Sequence, residues 1–199
     1  MVKRLIVGIT GATGAIFGLR VLEALQAAQV ETHLVLSKWG LQTVEHETGM
    51  TLADLEKRAT VVHPTGNMAA TISSGSFRTG GMIVAPCSMR TVAAIAHGNG
   101  DNLVHRAADV VLKERRRLVL VPRETPLSEI HLENLLKLAR MGVCILPPMP
   151  AFYNKPASLD DIVDHVVARV LDQFDIEASF ARRWDGVLHA SQSSLRRAQ

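Results

Sequence analysis

The 199-residue chain is poor in aromatic residues, which make up 4% of it, and holds one tyrosine, two tryptophans and two cysteines. With so few rings and no basic stripe to carry them, its net charge of +3 does not describe a nucleic-acid surface and suits the binding of small anions instead. Cys87 and Cys144 are far apart with no C-x-x-C spacing, so no disulfide is expected and a reducing compartment, the cytoplasm, is predicted. No apolar run reaches the roughly 18 residues of a membrane span, and MVKRLIVGIT leads into a strand rather than a cleavable signal, which predicts a soluble protein without a membrane partner. The eight histidines show neither an H-E-x-x-H pattern nor Cys/His pairing, so no metal is expected.

What is abundant is aliphatic: hydrophobic residues make up 47% of the chain, enough for one well-buried core. Residues 1–199 read as a single α/β domain, with 175–199 a C-terminal tail that loses its apolar pattern and frays at its end. β-Branched runs near 4–9, 32–36, 81–86, 118–122 and 143–146 alternate with helical periods near 14–28, 39–47, 51–58, 90–97, 102–115, 128–141 and 158–174. Runs such as MIVAP and RLVLVP are apolar on both faces, as strands covered on each side must be. The expected fold is a doubly wound, mostly parallel sheet flanked by helices, Rossmann-like or flavodoxin-like in three layers. Residues 60–80, rich in Ser, Thr and Gly, read as a long surface loop at an active site or interface.

In such sheets ligands sit beyond the carboxyl ends of the strands. The first such loop lies in RLIVGITGATGAIFGLR, with glycines at 8, 11, 14 and 18 and hydroxyls at Thr10 and Thr13. A strand running through glycines into a helix presents unpaired amides and a helix dipole to an anion; the alternative is a tight turn with close packing and no ligand. The glycine spacing also resembles that of short-chain dehydrogenases. However, the second strand ends in HLVLSK with no acid for a ribose hydroxyl, and Tyr153 is followed by alanine at 157, so the Tyr-x-x-x-Lys pair is missing.

The strings GITGATGAIFGLR, SSGSF, PCSMRT, RAADVVLKERR, LVLVPRETPL and PPMPAFYNKP, in that order over residues 4–172, resemble the flavin prenyltransferases of the UbiX/Pad family, flavoproteins long labelled aromatic-acid decarboxylases. The resemblance implies a metal-independent prenyltransferase that joins the dimethylallyl group of dimethylallyl phosphate to N5 and C6 of reduced FMN. The prenylated FMN would pass to a UbiD-type decarboxylase. It also implies a homo-oligomer, trimer-based and up to a dodecamer, with sites shared between subunits.

Carried over residue by residue, the FMN site would take Gly11, Ala12, Thr13, Ser37, Ser88, Met89, Arg90, Thr91 and Arg123. Thr13 stands where many relatives have serine. The donor site would take Arg106, Lys113, Tyr153 and Arg169, whose cations and phenol stabilise a departing phosphate. Glu124, Lys113 and Glu47 would form the catalytic set, with Glu124 as general acid and base.

Taken without the resemblance, Glu47 reads as a surface carboxylate, Arg169 as an exposed or salt-bridged residue, Tyr153 as a packed aromatic and Cys87 as a small buried hydrophobe. Arg115, Arg116 and Arg117 read as a solvated helix end. Two rivals share the flavin: an oxidative decarboxylase of peptidyl-cysteine type, whose Pro-Ala-Ser-Ala-Asn-Thr is replaced here by PCSMRT, and a non-catalytic flavin-carrying subunit.

Overall fold

A computed structural model describes residues 4–184 and 186. Six parallel strands, β1 (Arg4–Ile9), β2 (Glu31–Leu36), β3 (Val61–His63), β4 (Gly81–Cys87), β5 (Arg117–Pro122) and β6 (Cys144–Ile145), form one sheet in the order β3-β2-β1-β4-β5-β6. The order reverses between β1 and β4, so a crevice opens beyond their carboxyl ends.

Strand alternation makes two cores from one sheet. Leu5, Val7 and Ile9 of β1, with Ile83 and Ala85 of β4, face α1 (Ala15–Ala27), α2 (Lys38–Thr48), α3 (Leu52–Glu56) and α7 (Leu159–Asp172). Ile6 of β1, with Met82 and Val84 of β4, faces α4 (Met89–His97), α5 (Leu103–Lys113) and α6 (Glu129–Arg140). Each fully buried aliphatic side chain contributes about 1.5–3 kcal/mol, so the layering is held by the sum of both faces. The last helix, α7, returns to the first face, where Arg20 of α1 pairs with Asp164 and Asp160.

The sheet and the helices appear where the hydrophobic periods put them, with one difference. Residues 60–80 are not one loop: Val61–His63 adds a parallel edge strand to β2, and a short 3-10 turn at Thr71–Ser73 buries Ile72 among the residues of the second core. Three residues are too few to show a strand period. The start of the tail packs on the body, with Ala178 buried in the first core beside Phe174. The expected fraying falls on residues 187–199, which lie outside the described residues.

The glycines of the first loop serve close approach. Gly14 has φ +97° at the N-cap of α1, a left-handed conformation that favours glycine. A Cβ at Gly18 would run into the Ala85 carbonyl and lie 2.9 Å from Ile9, so α1 rests directly on β4 there. The N-terminus of α1 is not open to an anion: the Gly14 and Ala15 amides donate to Glu47 Oε2 at 3.0 and 2.8 Å. Partial burial opposes ionisation of Glu47, but hydrogen bonds from the Thr13 hydroxyl and from these two amides outweigh it and hold its carboxyl below the usual glutamate range.

Gly18→Val should lower the thermal midpoint by about 5 °C or more through overpacking of the α1–β4 contact, read by calorimetry. Glu47 has a lowered folded-state pKa, so its contribution is present above the ordinary glutamate pKa and is lost as pH falls through the folded value. Glu47→Ala should therefore cost about 1 kcal/mol of stability at pH 7, and the difference from wild type should shrink in urea titrations carried to acid pH.

Candidate active site

The crevice at the β1/β4 switch point is a cleft of about 330 Å³ whose walls include Thr10, Gly11, Ser37, Trp39, Thr65, Ser88, Arg90 and Thr91. Three helices start at it. Ser37 caps α2 by accepting the Gly40 N–H at 2.9 Å, Ser88 caps α4 by accepting the Thr91 N–H at 3.3 Å, and Asn102 caps α5 by accepting the His105 N–H at 3.1 Å. The remaining first-turn amides and the positive ends of three helix dipoles make the cleft electropositive, and Lys38 and Arg90 add full charges at its wall.

Thr10 is not the free hydroxyl donor its place in the loop suggests. Its Oγ1 donates to the Pro86 carbonyl at 3.0 Å and accepts the Ser88 N–H at 2.8 Å, tying the ends of β1 and β4 together. Thr65 reaches the cleft from the segment after β3, and its Oγ1 is buried without a partner among the described residues. An orphaned hydroxyl, three helix starts and two cations fit a phosphorylated, hydroxyl-rich group such as FMN. Gly11 lets Trp39 approach, since a Cβ there would run into the Trp39 Cβ.

Of the residues expected at the FMN site, Gly11, Ser37, Ser88, Arg90 and Thr91 line this cleft. The buried Met89 side chain joins the second core, so its backbone is what the site receives. Ala12 and Thr13 belong to the loop above, where Thr13 bonds Glu47. The Arg123 N–H donates to the Cys87 carbonyl at 3.2 Å, which puts this residue beside Ser88. Cys87 is fully buried and its thiol pKa is pushed well up by burial, so it is inert, as read from the sequence. Thr65, Asn102 and His105 were not anticipated; they come to the cleft through a long connection and a helix start that only the folded chain brings near.

The residues expected at the donor site stand in three places. Arg106 and Lys113 lie on α5, and Arg106 Nε donates to the Ser73 carbonyl at 3.2 Å. Tyr153 stands edge-on to the rings of His165 and Trp184, at 6.0 and 5.5 Å, and Arg169 pairs with Asp172 at 2.8 Å on α7. Glu124 follows β5, where its exposed carboxylate accepts only the Thr125 N–H, at 3.0 Å, among the described residues. Helices α5 and α7 pack on opposite faces, so within one copy the sheet stands between Lys113 and Arg169. The first turn of α5 lines the cleft and Lys113 ends the helix ten residues later, about 15 Å further along its axis.

In the Arg115–Arg117 run, Arg115 and Arg117 are exposed as a solvated helix end should be, but the Arg116 side chain is 16% exposed and its guanidinium donates to the Gly75 and Phe77 carbonyls. Among the described residues no cluster of three or more His, Cys, Asp or Glu could hold a metal ion, and no helix is long and apolar enough to cross a membrane.

Comparison with known proteins agrees with this geometry. The Flavoprotein family model matches residues 2–171. A probable UbiX-like flavin prenyltransferase of Streptomyces sp. (strain D7) is 64% identical over 194 residues, 97% of this chain and 96% of that protein. The dodecameric FMN-dependent UbiX-like decarboxylase of Escherichia coli O157:H7 superposes with a TM-score of 0.90 at 63% identity, over 92% of this chain and 100% of that one. The structure of AnUbiX (PadA1) with FMN and dimethylallyl pyrophosphate gives a TM-score of 0.92 at 53% identity, over 94% and 100%. The peptidyl-cysteine decarboxylase EpiD reaches a TM-score of 0.62 at 17% identity, a likeness of fold alone. The chain belongs to the Flavoprotein family and, within it, to the UbiX-like flavin prenyltransferases.

Proposed function

We propose that this protein is a flavin prenyltransferase that joins the dimethylallyl group of dimethylallyl phosphate to N5 and C6 of reduced FMN and releases the prenylated FMN to a UbiD-type decarboxylase. The observation that carries the reading is the 53% identity, over 94% of the chain, to a structure holding FMN and dimethylallyl pyrophosphate, joined to a switch-point cleft whose residues fit FMN. Bound reduced FMN supplies the electron-rich ring that is alkylated. The two free thiols suit a cytoplasmic location.

The residues divide the work by charge and place. Ser37, Ser88, Thr91 and Arg90 hold FMN at the starts of α2 and α4, and Arg123 joins from the end of β5. Lys113, Arg106 and Arg169 draw off the charge that builds on the departing phosphate, and Tyr153 donates a neutral hydrogen bond. Glu124, whose carboxylate has only one backbone partner, moves the proton. Because the cations of α5 and α7 lie on opposite faces in one copy, a neighbouring copy brings Lys113 and Arg106 to the cleft, which makes the active form a homo-oligomer. The dodecameric relative supports such an assembly, and a trimer is its smallest closed unit in our reading.

Anaerobic incubation with reduced FMN and dimethylallyl phosphate, followed by denaturation and mass spectrometry, should return flavin heavier by one isoprenyl unit. Unmodified flavin from protein that binds FMN would remove the assignment. The shared site has its own test. Lys113→Ala and Glu124→Gln proteins should each be inactive, while co-expressed mixed oligomers should recover about a quarter of wild-type activity, because random assembly leaves that share of sites with both residues intact. No recovery would place both residues of a site in one chain.

A further inference from the structure

The chain between β3 and β4 carries a tight loop at Ser73–Arg78 in which guanidinium groups hold the carbonyls of Ser73, Gly75, Phe77 and Arg78. Arg116 Nη2 donates to Gly75 O at 2.6 Å and Nη1 to Phe77 O at 2.9 Å. Arg106 Nε takes Ser73 O, and Arg4 Nη1 takes Arg78 O at 3.2 Å while its guanidinium lies 4.3 Å from the centre of the Phe77 ring. Arg116 reaches the loop because Arg115, at φ +54°, turns the chain back under it at the end of α5.

Against this loop lies Lys113. Its ammonium donates to Glu114 Oε1 at 2.6 Å, and Glu114 Oε2 lies 3.8 Å from Arg116 Nη2. Gly75 touches the pair: a Cβ there would run into the Glu114 carboxylate and lie 2.9 Å from Lys113 Nζ. A flexible lysine has about four rotatable bonds, so an ammonium meant to meet a phosphate loses affinity unless something fixes it. The loop does this on one side and Glu114 on the other.

We propose that Arg116 is a positioning residue for the donor phosphate: by clamping Gly75 and Phe77 it sets the surface against which the Lys113–Glu114 pair stands, and so aims the Lys113 ammonium. This rests on the reading of Lys113 as a donor-phosphate ligand. Arg116 commits both terminal nitrogens to the loop carbonyls, and the FMN cleft of the same copy lies at the other end of α5. Its loss should therefore act on the donor alone.

The experiment measures KM and kcat for dimethylallyl phosphate at saturating reduced FMN, and FMN affinity by flavin fluorescence, in Arg116→Ala, Arg116→Lys, Gly75→Ala and Lys113→Ala proteins. Arg116→Ala should raise KM for the donor about tenfold with FMN affinity unchanged within twofold, and Arg116→Lys should restore part of it. Gly75→Ala leaves Arg116 in place and displaces the Lys113–Glu114 pair, so it should raise the same KM. An unchanged KM in Arg116→Ala, a parallel loss of FMN affinity, or a normal KM in Gly75→Ala would each overturn the proposal. Should Lys113→Ala leave donor KM and kcat at wild-type values, the donor-site reading itself fails, a result distinguishable from failure of the clamp alone.

Discussion

The functional geometry depends on one hydroxyl. Thr10 follows β1, and through Oγ1 it gives a hydrogen bond to the Pro86 carbonyl and receives one from the Ser88 amide, while its own N–H also goes to Pro86 O at 3.2 Å. Beyond the carboxyl ends of two parallel strands the ladder stops, and each strand would otherwise turn into its loop independently. Thr10 extends the pairing across the switch point. As a result the start of α4, reached through the Ser88 cap, is held against β1 beside the start of α2, which the Ser37 N–H ties to the Ile9 carbonyl at 3.0 Å. A buried hydroxyl with both roles filled is costly to replace, because an apolar residue would leave the Ser88 amide and the Pro86 carbonyl with one partner fewer.

The same sheet that makes the cleft also keeps the cations of α5 and α7 apart. A doubly wound chain must place successive helices on both faces, and here α5 goes to one face while α7 returns to the other. Cations on opposite faces avoid mutual repulsion within the copy, and each finds a local counter-ion: Asp109 for Arg106, Glu114 for Lys113, Asp172 for Arg169. These are exposed pairs, each worth little by itself, so exchanging a carboxylate for a phosphate costs little. Within one copy each cation is therefore neutralised locally, and none bears the repulsion of the others across the sheet.

How far the sequence foretold this follows from how local each feature is. The alternation of apolar runs showed the layered fold, because each period depends only on residues within its own element. Three features escaped because their causes are distant in the chain. Glu47 reaches the α1 N-terminus from 32 and 33 residues away. Arg116 reads as part of a charge run until the left-handed turn at Arg115 brings it under a loop 39 and 41 residues earlier. The separation of Lys113 from Arg169 is decided by which face the last helix chooses, a matter of burial over the whole sheet.

The two carboxylates once grouped as catalytic partners are now distinguishable on physical grounds. Glu47 accepts from the Thr13 hydroxyl and from the Gly14 and Ala15 amides, and these bonds favour its ionised form. To carry a proton it would have to surrender bonds that close the N-terminus of α1, the helix that rests on β4. What it can do is orient the Thr13 hydroxyl beside the cleft loop. Glu124 has no such commitment: its carboxylate accepts one neighbouring N–H and faces solvent, at the end of β5 next to Arg123. A group that gains and loses a proton within one turnover must be able to do so without changing the fold around it. By that criterion the Glu124 carboxylate is the one of the two free to exchange a proton without disturbing the fold, whereas Glu47 is tied to Thr13 and to the start of α1.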